Sequence, residues 1–121
     1  MKTILAVDDE PNILMSIEFI LQMEGYLVHT ARDGDEALEV AERVRPDLIL
    51  LDVNMPGKDG YEVCRILRER RDLAATKVIL LTAKGQALER KKGIEMGADD
   101  YVTKPFATEE LLGAVRAQLE P

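Results

Sequence analysis

Leu48-Ile49-Leu50-Leu51-Asp52, followed by the turn Val53-Asn54-Met55-Pro56-Gly57, decides how the rest of this chain is read. Four consecutive large aliphatic residues leave neither alternating face of a strand for water, so both faces must be covered. Strands of that kind belong to parallel sheets flanked by helices, whose ligands sit beyond the carboxyl ends of the strands, where Asp52 stands. Two more runs have the same character, Ile4-Leu5-Ala6-Val7 and Val78-Ile79-Leu80-Leu81. Shorter ones lie at Tyr26 to Thr30 and at Tyr101-Val102. Helical patterns separate all five, which is the signature of repeated βα units and an α/β fold.

The helices carry their own punctuation. In the first, Ile13, Leu14, Ile17, Ile20 and Leu21 recur at helical spacing, with Pro11 suited to the first turn and Gly25 to the stop. Asp33 caps a second helix with Ala37, Leu38, Ala41 and Val44 inward, and Pro46 keeps it out of the next strand. The third turns Val63, Ile66 and Leu67 inward and presents Arg65, Arg68, Arg70 and Arg71 as a solvated basic face. Thr108, with Glu109 and Glu110 behind it, is expected to cap a last helix whose buried stripe is Leu111, Leu112, Val115 and Leu119. Between Gln86 and Met96 only Ala87, Leu88, Ile94 and Met96 offer apolar anchors, and Gly93 interrupts them. This fourth helix is expected to be the least stable.

A chain of 121 residues can bury one continuous core, and a single domain over residues 1–121 with no output domain is expected. With 16 Lys and Arg against 23 Asp and Glu, the formal charge of −7 argues against direct nucleic-acid binding. No apolar run reaches the length of a membrane span, and Met1-Lys2-Thr3-Ile4-Leu5 meets Asp8-Asp9 too soon for a secretory signal. A cytoplasmic protein is expected. The single Cys64 excludes an internal disulfide and reads as a packed thiol, and the single His29 lies in a strand-like run without a partner for catalysis. Neither G-x-G-x-x-G after the first strand nor a P-loop is present, which removes a nucleotide-binding reading.

Chemistry is therefore sought where the apolar runs end. Asp8 and Asp9 follow the first, Asp52 the third, Thr82 the fourth, and Lys104-Pro105 comes just after the fifth. Three crowded carboxylates repel one another unless a cation lies between them. All-oxygen ligands, too few for a full protein cage, favour Mg²⁺, with Mn²⁺ as a substitute. A carboxylate beside such an ion can attack a phosphoryl group and form an aspartyl phosphate, and Asp52, leaving the most apolar strand, suits that role best. Lys104 would pair with one phosphoryl oxygen and the Thr82 hydroxyl would donate to another.

These landmarks resemble those of the receiver domains of two-component response regulators, the chemotaxis receivers included. They are Val7-Asp8-Asp9-Glu10, Asp52 to Gly57 with Asp59-Gly60, Leu81-Thr82-Ala83, and Gly97 to Phe106 with Lys104-Pro105 inside it. The resemblance covers essentially the whole chain. It implies a doubly wound, flavodoxin-like sheet of five parallel strands in the order 2-1-3-4-5, with five helices in a three-layer sandwich. It further implies that Asp52 takes a phosphoryl group from a sensor histidine kinase or phosphotransfer protein. Asp8, Asp9, Asp52 and the backbone carbonyl of Asn54 would hold the metal, while Thr82, Lys104 and the backbone N–H of Ala83 would hold the phosphoryl oxygens. A cis Lys104-Pro105 peptide is expected. Thr82 and Tyr101 would be the switch pair, repacking the fourth helix, fifth strand and fifth helix for a downstream target, a fused output domain or a phosphorylation-dependent homodimer. Asn54 and Lys84 would set the lifetime of the phosphoryl group.

Two rival readings share the fold. An aspartyl phosphatase or phosphotransferase acting on small molecules usually has a second acid two residues after the nucleophile, where this chain has Asn54. A docking module that has lost phosphorylation would not need all five site residues, and all five are present. The chain is thus read as a self-phosphorylating switch rather than a conventional enzyme.

Overall fold

The computed structural model describes residues 1–83 and 87–120, with residues 87–90 as backbone only. In chain order the elements are β1 (Thr3–Val7), α1 (Pro11–Met23), β2 (Leu27–Ala31), α2 (Gly34–Val44), β3 (Leu48–Asp52), α3 (Gly60–Glu69), β4 (Lys77–Thr82), α4 (Ala87–Glu95), β5 (Asp100–Thr103) and α5 (Thr108–Leu119). The strands form one parallel sheet in the order β2-β1-β3-β4-β5. This is the flavodoxin-like arrangement that the motifs imply.

Alternation along the strands splits the interior into two cores. Ile4, Ala6, Leu48, Leu50, Ile79 and Leu81 face α1 and α5, which answer with Leu14, Ile17, Leu21, Leu111, Leu112 and Val115. Their neighbours Leu5, Val7, Ile49, Leu51, Val78 and Leu80 face the other way, onto Val40 and Ala41 of α2 and Val63, Cys64 and Leu67 of α3. All five residues of β3 are buried, as expected of the central strand of a sheet covered on both sides.

Register then carries the functional residues to one edge. Val7 pairs with Leu51, so Asp8 lies one step beyond β1 beside Asp52. Asp52 pairs with Leu81, which sets Thr82 one step further along β4, and Thr82 pairs with Thr103 immediately before Lys104.

The helix signals hold at α1, where Pro11 opens the helix and Gly25 takes φ +93° after its end, and at α2, where Asp33 accepts from the Glu36 N–H at 2.8 Å. Three expectations are corrected. Thr108 is the first residue of α5 rather than its cap; the flanking Ala107 has no side-chain acceptor, and Glu110 instead accepts from the Ala107 N–H at 3.1 Å. Ile94, expected as an anchor of α4, is 60% exposed. What lets α4 approach the sheet is Gly93, which is buried and where a Cβ would stand 2.9 Å from Leu80 Cδ1. The anchors Ala87 and Leu88 lie outside the residues whose side chains are described.

Arg68 is the third correction. It does not belong to a solvated basic face, because its guanidinium reaches across the end of α3. It donates to the carbonyls of Gly97 at 2.7 Å, Thr76 at 2.6 Å and Ala74 at 3.1 Å, and to Asp99 at 2.8 Å. Asp99 in turn accepts from the Val78 N–H at 2.8 Å. One side chain therefore ties the α3–β4 connection to the α4–β5 turn, where Gly97 takes φ +96°.

Candidate functional site

At the carboxyl edge of the sheet, Asp8, Asp9 and Asp52 each offer a carboxylate oxygen, and the three lie within 4.8 Å of one another. Asp8 and Asp52 are buried and Asp9 is exposed, so the cluster has a covered floor and an open side. Local backbone geometry aims both buried acids. Asp8 Oδ1 accepts from the Glu10 N–H at 2.9 Å and Asp52 Oδ1 accepts from the Asn54 N–H at 3.2 Å, each two residues further on. Such a bond turns the carboxylate back over its own chain and holds one oxygen while leaving the other for chemistry.

The free oxygens meet Lys104. Its Nζ lies 2.7 Å from Asp8 Oδ2 and 3.4 Å from Asp52 Oδ2, on a side chain that is 14% exposed. The ammonium therefore rests closer to Asp8 than to Asp52. The Lys104-Pro105 peptide is cis, as expected, and the Lys104 N–H donates to the Thr82 carbonyl at 2.6 Å.

Burial raises Asp52 from the ordinary value of 3.8 to about 6, and the neighbouring Asp8 charge adds to the shift while Lys104 opposes it. For Lys104, burial works against the charge. The hydrogen bond to Asp8 and the charges of Asp52 and Asp8 outweigh burial, and its ammonium is held above the usual range. Three carboxylates against one ammonium leave an excess of two negative charges. Hard oxygen donors with that excess fit a divalent cation of the Mg²⁺ type. When bound, such an ion neutralises charge on transferring phosphoryl oxygens.

Thr82 closes β4 and is buried, while Ala83 beyond it is exposed, as is Asn54. Tyr101 lies on β5, partly buried against the α2/α3 core. It lines a cavity of about 40 Å³ with Gly93, Ile94, Ala98, Asp99 and Asp100. Lys84 lies outside the described residues. Cys64 is fully buried with its thiol pushed up to about 11 by burial, its Sγ donating to the Met96 carbonyl at 3.3 Å, and is a packed thiol as read.

A buried acid pair, a lysine on a cis proline and a strand-end hydroxyl on one edge of a 2-1-3-4-5 sheet define a class. Residues 4–116 match the family model of the response regulator receiver domain, and the chain belongs to that family. Solved structures agree along the whole length. The chain is 36% identical to the chemotaxis response regulator CheY4 of Vibrio cholerae, with 98% of each chain covered and a TM-score of 0.93. It is 39% identical to the receiver domain of a signal transduction histidine kinase from Syntrophus aciditrophicus, covering 98% of this chain and 90% of that one, with a TM-score of 0.90. It is 34% identical to the receiver domain of the sensor histidine kinase PA1611 of Pseudomonas aeruginosa. There, 99% of this chain and 98% of that one are covered, with a TM-score of 0.90, and that structure has a magnesium ion coordinated in its active-site cleft. Among the described residues no helix is long and apolar enough to cross a membrane.

Proposed function

We propose that this receiver domain accepts a phosphoryl group on Asp52 from a phosphohistidine of a sensor kinase or phosphotransfer protein, in the cytoplasm and with Mg²⁺ bound. The observation that carries the reading is the convergence of Asp8, Asp9 and Asp52 within 4.8 Å beside the Lys104 ammonium. The PA1611 receiver, with magnesium in its cleft, supports the choice of metal.

In the transfer, an Asp52 carboxylate oxygen forms the new O–P bond as the P–N bond of the donor breaks, and the imidazole leaves with the electron pair. Asp8, Asp9, Asp52 and the Asn54 carbonyl would hold the metal. Lys104 moves from Asp8 toward an incoming phosphoryl oxygen, a shift that its position between the two acids leaves short. The Thr82 hydroxyl and the Ala83 N–H would take the other oxygens. As Thr82 moves, Tyr101 turns into the space behind it and repacks the surface of α4, β5 and α5. That surface then binds a downstream target, an output domain or a second copy. Asn54 and Lys84 would tune the lifetime of the phosphoryl group. The domain is a switch that catalyses its own modification, not a conventional enzyme.

Incubation with acetyl phosphate and Mg²⁺, followed by intact mass measurement, tests this. The expected result is one phosphate-sized gain that is lost in Asp52→Asn and in the presence of a chelator. No gain with the wild type would favour a docking module.

A further inference from the structure

Gly34 opens α2, on an element that contributes none of the site residues, yet it is buried against the loop that follows Asp52. A Cβ at Gly34 would stand 2.8 Å from Lys58 Cβ, 2.9 Å from the Lys58 carbonyl oxygen and 2.9 Å from Val63 Cγ2. Real Cβ atoms essentially never approach heavy atoms closer than 3.0 Å, so only glycine permits this contact. The same loop is held at its other end by Gly60. A Cβ there would collide with the Asp52 carbonyl and lie 2.8 Å from Val53 Cα, and the Gly60 N–H donates to the Val53 carbonyl at 3.2 Å. Lys58 Nζ also pairs with Asp35 Oδ1 at 2.6 Å, adding a polar tie from the first turn of α2.

Residues 53–59 are thus clamped between the first turns of two helices, and their near end carries Asn54, whose N–H orients the Asp52 carboxylate. We propose that Gly34 is a positioning residue for the acidic site: by admitting the Lys58 backbone against α2, it sets the reach of the loop that walls Asp52 and so the affinity of the site for a divalent cation. The proposal rests on the metal-binding reading above. A side chain at 34 cannot be accommodated by a flexible partner alone, because one of the atoms it meets is the Lys58 carbonyl of the backbone. The loop itself must move.

The test uses the full chain as wild type, Gly34→Ala, Lys58→Gly and the double variant. Gly113→Ala serves as a control, since nothing lies within 4 Å of a Cβ there. Amide spectra without metal are expected to show shifts in Gly34→Ala that concentrate on residues 53–59. Mg²⁺ titration is expected to give an affinity threefold to tenfold weaker than wild type, with no recovery in the double variant, because the Lys58 carbonyl and Val63 Cγ2 stay in place. Unshifted amides at 53–59, or an affinity within twofold of wild type, would overturn the proposal. If Gly34→Ala does not fold, Lys58→Gly carries the test. Losing a nearby cation should strengthen Mg²⁺ binding on charge alone, so a weaker affinity supports the loop clamp and an equal or stronger one refutes it. Should the wild type bind no Mg²⁺, the metal reading fails, and the positioning role stands or falls on the amide shifts.

Discussion

Asp52→Asn should make the metal-free protein more stable at neutral pH, although it deletes the residue on which the proposed function depends. Burial and the Asp8 charge raise the Asp52 carboxyl from 3.8 to about 6. A carboxyl whose folded value lies above its unfolded one binds its proton more tightly in the folded chain. Its support for the fold is full below about pH 4 and is lost as the pH rises through about 6. A difference of about two units corresponds to roughly 3 kcal/mol of destabilisation once the group is ionised in the folded state. Asparagine removes that charge and can still accept from the Asn54 N–H, but it forfeits the attraction of Lys104, 3.4 Å away. The expected net gain is about 1 to 2 kcal/mol at pH 8 in a chelating buffer, vanishing near pH 4. Thermal melts from pH 4 to 8 would register it as a rise of about 5 °C at the upper end. Mg²⁺ should then raise the wild-type midpoint while leaving that of Asp52→Asn nearly unmoved. A variant no more stable than wild type at pH 8, or a gain that does not change with pH, would refute the reasoning.

Arg68→Met should lower stability by about 2 to 4 kcal/mol, because three backbone carbonyls and Asp99 lose their donor while the aliphatic stem is kept; urea unfolding gives the number, and an unchanged midpoint would return Arg68 to the solvated face. Gly113→Ala, at an exposed position inside α5, should add about 0.5 to 1 kcal/mol in the same assay.

Much of the protein is legible without coordinates because its central strands are so apolar. A run such as Leu48 to Leu51 has the character of a doubly covered strand, and the helical patterns between the runs make the sheet a parallel one. Once that is granted, the residue after each run must lie at the ligand-binding edge. Asp8, Asp52, Thr82 and Lys104 were found that way, by local pattern and topology. The caps at Asp33 and Gly25 are equally local, involving atoms within a few residues of one another.

What the tertiary structure alone decided are contacts between elements remote in the chain, for which no short-range pattern exists. Arg68 has the spacing of an outward residue and is drawn in by carbonyls of Gly97 and Thr76 that only the packing of α3 beside β4 and β5 brings near. Gly93 looks like a weakness in α4, and it is the point where that helix touches Leu80. Gly34 looks like an ordinary helix start, and it presses on the backbone of Lys58, 24 residues further on. Lys104 could be assigned to the site by position, but its preference for Asp8 over Asp52 comes from where two buried carboxylates leave their free oxygens. Apolar periodicity specifies which faces are buried; steric fit and the pairing of buried polar groups depend on distances that no one-dimensional pattern contains.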